Sequence, residues 1–232
     1  MSEQITRRGF LGATGAAGGM MLGGAGEARG GQNGDRSRII AINCSRRAGM
    51  NTALALNISL EAARAVAPET IETELIELAG KELHAEVAAG VELPQGAVDD
   101  FLPIAEKLGD PKVKGIIVGT PVYFSAMSSP CKDFIERLGV FRKQEYALGD
   151  VVAGVLAIGG ARNGGQEMAI TSVQATLFCQ EMIVVGAGRN TSRFGACIWG
   201  GAEGGVEEAT NRAAAEDLGR RVAKVALALA GS

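Results

Sequence analysis

The 232-residue chain has one histidine, one tryptophan, two tyrosines and seven phenylalanines, and these scarcities exclude several chemistries. His84 lies in a mixed polar and apolar stretch far from any nucleophile signal, so a Ser-His-Asp triad has no positional support. It reads as an ordinary surface or loop residue. Cys44, Cys131, Cys179 and Cys197 are widely spaced and form no C-x-x-C pair, which leaves a metal or cluster site unsupported. Their spacing assigns no disulfide either. The formal net charge of -3 and the lack of a basic stripe argue against a nucleic-acid partner. No Gly-Lys-Ser/Thr closes a Walker A loop, and no G-x-G-x-x-G turn opens a helix. With aromatic rings this rare, Tyr123, Phe124 and Trp199 gain weight as site residues.

An apolar content of 47% with 21% charged residues, at this length, suits a single sizeable core. Glycine is abundant, at 34 residues, and much of it falls in loops and in the first 34 positions. Residues 1–36 read as a targeting and linker segment ahead of a domain over 37–232. Thr6-Arg7-Arg8-Gly9-Phe10-Leu11 resembles the twin-arginine export signal, and a charge-free Gly/Ala/Met run follows it to Gly26. That run is too short and too weakly apolar to span a membrane, so no stable membrane insertion is expected. The expected location is the periplasm or beyond, or the cytoplasm if the signal is not functional.

The stretch over 114–133, KGIIVGTPVYFSAMSSPCKD, organises the rest. Gly115 to Val118 is a short β-branched run that reads as a strand buried on both faces of a parallel sheet. Pro121 ends it, Val122-Tyr123-Phe124 puts two aromatic rings into a loop, and Ser128-Ser129-Pro130 caps a helix reaching about Leu138. Upstream, residues 38–43 form a first strand. The loop 44–52 carries hydroxyls, an amide, two arginines and a glycine just before a helix over 52–66. Those groups, with free backbone N–H at a helix N-terminus, suit a phosphate, although an ordinary cap with surface arginines would look similar.

Further elements alternate. Residues 70–78 read as a strand near the sheet edge, 96–108 as a helix, and 150–158 as another buried strand. The latter runs into Gly159 to Glu167, where four glycines in seven residues let a backbone bend closely around a flat ligand. A helix over 168–179, a short strand over 182–186, a glycine-rich loop over 188–205 holding Trp199, and a terminal helix over 206–229 follow. This predicts an α/β, doubly wound, five-stranded parallel sheet in the order 2-1-3-4-5. In that order the loops after strands one, three and four converge on one sheet edge. A phosphate cradle, an aromatic wall and a glycine-rich clamp together suit one flat, singly phosphorylated ligand, and FMN fits that description.

NCSRRAGMNT over 43–52, GTPVYFSAMSSPCKDFIER over 119–137 and GGARNGGQE over 159–167 resemble the flavodoxin-like NADPH-dependent FMN reductases. The likeness covers residues 38–232 and is strongest to the branch of iron–sulfur flavoproteins and quinone reductases. It implies that Ser45, Arg47, Asn51 and Thr52 hold the FMN phosphate. Pro121, Val122, Tyr123, Phe124 and Ser125 would line the isoalloxazine ring, and Gly160, Arg162, Asn163 and Gly165 its other edge. The iron–sulfur members carry a compact cysteine cluster between the second strand and the next helix. Residues 79–94 hold no cysteine here, so flavin without a cluster is expected. Cys44 stands where the family commonly has glycine.

The activity implied is transfer of electrons from NAD(P)H through FMN to a quinone or similar small acceptor. Arg162 would tune the flavin, and Tyr123, Phe124 and Trp199 would stack with substrate. No protein nucleophile is needed for this, because the redox chemistry is the cofactor's. The resemblance also implies a homodimer or homotetramer. Free NAD(P)H is scarce outside the cytoplasm, which raises an exported flavodoxin-like electron carrier, without NAD(P)H activity, as the second reading. A scaffold that has lost flavin is the third.

Overall fold

Ile39 to Ile42 are fully buried although they alternate sides, so the first strand must be covered on both faces. In the computed structural model, which describes residues 36–188, 191 and 193–231, that requirement sets the architecture. The strand β1 (Ser37–Asn43) leads into α1 (Asn51–Arg64), β2 (Ile71–Glu77) and α2 (Phe101–Leu108). Then come β3 (Val113–Pro121), α3 (Ser129–Arg137), the single turn α4 (Gly139–Arg142) and β4 (Val152–Gly159). The chain closes with α5 (Gln166–Phe178), β5 (Ile183–Val185), β6 (Ala196–Trp199) and α6 (Ala209–Ala230). The sheet runs β2-β1-β3-β4-β5, and these pairings are all parallel, as the sequence predicts.

Alternate strand residues feed two separate cores. Ile40, Ile42, Ile116, Val118 and Val155 join Phe101, Phe134 and Val173 under α2, α3 and α5. Ile39, Ala41, Ile117, Val152 and Leu156 join Leu56, Leu218 and Val222 under α1 and α6. At the edge, β2 keeps Glu72, Thr73 and Glu74 only half buried, which explains its acid–apolar alternation.

Three differences from the sequence reading have local causes. The expected loop over 188–205 contains β6, which pairs with Leu156 to Gly159 while β5 pairs with Val152 to Gly154. Two short strands thus share one edge of β4, and four residues between glycines carry too little pattern to reveal the second. The helix expected from Gly96 starts at Phe101. The preceding residues are held elsewhere: Glu82 and Asp100 exchange hydrogen bonds (Asp100 N to Glu82 O, 3.0 Å; Glu82 N to Asp100 Oδ2, 2.9 Å). β3 also continues through Thr120 to Pro121, because proline at the last position costs the ladder little.

Candidate functional site

The loop after β1 is built around Asn43, which is wholly buried at the strand's end. Its Oδ1 accepts from Ser45 N–H (3.1 Å), and its Nδ2 donates to Glu77 Oε2 (2.5 Å). The other oxygen of Glu77 accepts from Gly49 N–H (3.1 Å), where φ is +66°. Ser45 Oγ accepts from Arg47 N–H (3.1 Å), closing a second small turn. The loop is therefore fixed from inside by side chains, while α1 begins at Asn51 with Met50 at its N-cap and no side-chain cap. By contrast, α3 is capped by Ser128 and α6 by Glu208. The first-turn N–H groups of α1 are thus left for an anion.

Cys44 does not shape this turn. Its N–H donates to Gly119 O (2.8 Å), extending the ladder, and its thiol is buried in the core. Burial, and then the neighbouring Cys131 thiol, push the Cys44 thiol well above its usual value, so it stays a protonated, packed side chain.

The aromatic loop is a tight two-residue turn. Tyr123 and Ala126 exchange two 3.0 Å backbone bonds, and Phe124 (φ 51°) and Ser125 (φ 62°) occupy the left-handed positions between them. That is the backbone of a primed turn, which glycine or asparagine normally fills. Two buried hydroxyls close its base: Ser128 N donates to Thr120 Oγ1 (3.0 Å), and Ser128 Oγ donates to Cys44 O (2.6 Å). Val122 N reaches Ile158 O at 2.8 Å, tying the turn to β4. Phe124 itself is fully exposed.

The glycine-rich loop is stapled by Gln166, a buried amide. Gln166 Nε2 donates to Ala161 O (2.7 Å) and Ile198 O (3.2 Å), and Oε1 accepts from Gly164 N–H (2.8 Å). Gly165, at φ +90°, lies so close to the aromatic turn that an added Cβ would sit 2.7 Å from the Ser125 Cα. Behind it, Asn211 braces the end of β6: its Oδ1 accepts from Trp199 N–H and its Nδ2 donates to Trp199 O, both at 2.9 Å. The indole Nε1 of Trp199 donates to Gly160 O (3.2 Å).

These loops meet in a cleft of about 250 Å³ at the carboxyl ends of β1, β3 and β4. Ser45, Arg47, Asn51 and Thr52 line it with Pro121, Val122, Tyr123 and Gly160. Arg162, Asn163 and Gly165 line a neighbouring cavity of about 750 Å³ instead. Phe124 and Ser125 line neither; Ser125 abuts Gly165 and Phe124 points to solvent. Trp199 flanks the cleft, which the following Gly200 and Gly201 enter. A Cβ on Gly201 would fall 2.5 Å from Gly160 O, so only bare backbone fits there.

The donor set suits FMN: hydroxyls, an amide, a guanidinium and uncapped helical N–H groups at one end, and a proline, a valine and a tyrosine beyond. His84 lies outside the cleft in the segment after β2, with Nδ1 by Glu86 (3.1 Å) and Nε2 by Val98 O (2.9 Å). Among the described residues no group of three or more His, Cys, Asp or Glu side chains could hold a metal ion.

Sequence reasoning did not single out Asn43, Glu77, Gln166 or Asn211. Asn43 and Gln166 stand inside the quoted motifs, where a buried position at a strand end and a helix start could have marked them. Asn211, in the first turn of the terminal helix α6, carries no local signal.

Residues 37–195 match the family model described as NADPH-dependent FMN reductase. An iron–sulfur flavoprotein of Methanocaldococcus jannaschii is 35% identical over 198 residues, spanning 81% of this chain and 96% of its own. An NAD(P)H dehydrogenase (quinone) of Aromatoleum aromaticum is 28% identical over 175 residues, or 70% of this chain and 79% of that protein. Among solved structures, a flavodoxin, WrbA-like protein from Agrobacterium tumefaciens superposes with a TM-score of 0.56 at 14% identity. It covers 83% of this chain and 98% of its own, and shows the shared flavodoxin-like fold.

Proposed function

The chain belongs to the NADPH-dependent FMN reductase family, and from that premise we propose that its acceptor is a quinone or a comparable flat small molecule. It is an FMN-dependent NAD(P)H oxidoreductase; the identity of the acceptor is the further step. The convergence of three separately built loops on one cleft carries the reading. When bound there, FMN supplies the hydride-accepting and electron-releasing chemistry, and the protein supplies placement and charge.

Each residue has a physical role in this reading. Ser45, Arg47, Asn51, Thr52 and the uncapped first turn of α1 hold the phosphate dianion. Pro121, Val122 and Tyr123 back the ring, and Gly160 allows the opposite loop to approach it. Arg162 and Asn163, further out on the stapled loop, put positive charge and an amide at the rim. Tyr123, Phe124 and Trp199 offer exposed or half-exposed rings against which a quinone stacks. Relatives named NAD(P)H dehydrogenase (quinone) support this choice of acceptor. The full exposure of Phe124 also supports a homodimer or homotetramer in which a second copy shelters that ring. Export by the twin-arginine route is part of the proposal as well; its motif, residues 6–11, lies outside the described residues.

The acceptor is tested by reducing the protein anaerobically, removing excess NADPH and mixing it with a water-soluble benzoquinone. Rapid return of the oxidised flavin bands, slowed about tenfold by replacing Tyr123 and Phe124 together with alanine, is the expected result. Flavin that NADPH reduces but the quinone cannot reoxidise would overturn the quinone assignment.

A further inference from the structure

Cys44 and Cys131 take no part in the chemistry above, yet both are wholly buried and their thiols are neighbours. Cys179 is exposed and Cys197 only half-buried, so neither shares that setting.

The sheet and α3 bring the pair together. Ile40, Ile42 and Cys44 alternate onto the side of β1 that α3 covers, and all three belong to the core beneath it. On α3, Cys131 lies with Phe134 and Ile135 on the buried face, in the same core. The Ser128 hydroxyl spans the two backbones: its Oγ donates to Cys44 O (2.6 Å) and accepts from Cys131 N–H (3.4 Å). Two side chains that leave closely tied backbones into one core have the arrangement a disulfide requires. Burial first, and then the Cys131 thiol beside it, disfavour ionisation of Cys44, so the two sulfurs interact directly.

The pair also joins two walls of the cleft. Ser45, next to Cys44, lines its phosphate end, and Tyr123 lines its apolar end in the turn whose base Ser128 closes. We propose that Cys44 and Cys131 form an intramolecular disulfide when the protein meets a small oxidising disulfide, and that this bond clamps the loop after β1 to α3 and the aromatic turn. One protein thiolate attacks the small disulfide and releases half of it as a thiol. The second protein sulfur then displaces the other half in the same way. One S–S bond breaks and one forms, and the protons of the two protein thiols leave on the two released thiols. Because both sulfurs are buried, the exchange proceeds through local opening of the first turn of α3 and is slow. An oxidising compartment, such as the proposed export reaches, favours the bond, and a reducing one keeps the two thiols. The effect on the cleft rests on the FMN reading above, whereas formation of the bond needs no flavin.

The test incubates the full chain with excess oxidised glutathione, alkylates the remaining thiols in denaturant and maps the digest by mass spectrometry. The expected result is a pair of peptides joined through Cys44 and Cys131 and separated by dithiothreitol. The loop closed between them is long, so Tm is expected to rise by about 10 °C on oxidation. It should rise in neither Cys44→Ala nor Cys131→Ala, and the mapping of the unmodified chain decides the matter even where a variant fails to fold. Alkylation of both residues after prolonged incubation, or glutathione held singly on either, would overturn the proposal. A joined pair with no rise in Tm would overturn the clamp. Flavin bands are recorded on the same samples: a joined pair in a protein that takes up no FMN would sink the cofactor reading and leave the disulfide standing.

Discussion

At the scale of single residues, the site depends on groups that touch no ligand in this account. Gln166 is one. Its buried amide satisfies two carbonyls and one N–H of the glycine-rich loop and the neighbouring strand; the bond to Ile198 O is fully buried and the other two are partly so. Gln166→Leu keeps much of the volume and strands those partners, a cost of roughly 1–3 kcal/mol for each group left buried and unpaired. The expected outcome is a rise of tenfold or more in the dissociation constant for FMN, read by fluorescence titration of the flavin-free protein. Unchanged affinity would remove Gln166 from the positioning machinery. Gly165 makes a sharper case. At φ +90°, with the Ser125 backbone 2.7 Å from any added Cβ, alanine must move the aromatic turn or the loop. Gly165→Ala is expected to lose flavin on gel filtration while keeping its far-ultraviolet helical signal.

At the scale of elements, two contacts stand out. The long segment between β2 and α2 is pinned by Arg137 of α3. Its Nη1 and Nη2 meet the two oxygens of Asp99 at 3.0 and 2.7 Å, and Nη1 also donates to Leu83 O and to His84 O (3.3 Å). The guanidinium sits 4.6 Å from the centre of the Phe101 ring. Burial pushes the Asp99 carboxyl up, but the Arg137 bonds, the Phe101 N–H and the positive charge outweigh it and hold the carboxyl below its ordinary value. A carboxyl lowered in the folded state contributes stability above its unfolded value and loses that contribution as pH falls through the folded one. Arg137→Ala should therefore cost about 3 kcal/mol at pH 7, since it leaves a nearly buried charge unpaired. That penalty should shrink toward pH 3 in urea unfolding, and a penalty independent of pH would argue against the ion pair as its source.

The second contact joins α1 to α6. Gly219 lies against the Ser59 carbonyl, with a Cβ position only 1.9 Å from that oxygen, and Ser59 Oγ donates to Ala215 O at 2.8 Å. Gly219→Ala overpacks a helix crossing and should cost about 3 kcal/mol. For a chain of this size that is a fall of roughly 6–12 °C in Tm. A Tm unchanged within 1–2 °C would show that the helices separate easily.

At the scale of the molecule, the legible features were those that repeat or that occupy whole segments. The continuous apolar runs of β3 and β4 announced buried strands, and the alternation of strands and helices pointed to a doubly wound parallel sheet, for which 2-1-3-4-5 is the simplest order. Loop composition picked out the three loops that share the sheet edge. What stayed hidden depends on distant partners. β6 exists because β4 has an unpaired half, which no property of Ala196 to Trp199 reveals. Helix α2 starts late because Asp99 and Asp100 are engaged by Arg137 and Glu82. Arg162 reads locally as part of a flavin clamp, and the folded loop places it in the lining of the neighbouring cavity, a placement that loop composition alone does not give.

The central claim is that this cleft holds FMN and that NAD(P)H reduces it there. The most direct measurement is the visible absorption spectrum of the purified protein, before and after anaerobic addition of NADPH. Flavin bands that bleach stoichiometrically with the nucleotide added are the expected result. A colourless protein that takes up no added FMN, or bound flavin whose bands persist under NADPH, would contradict it.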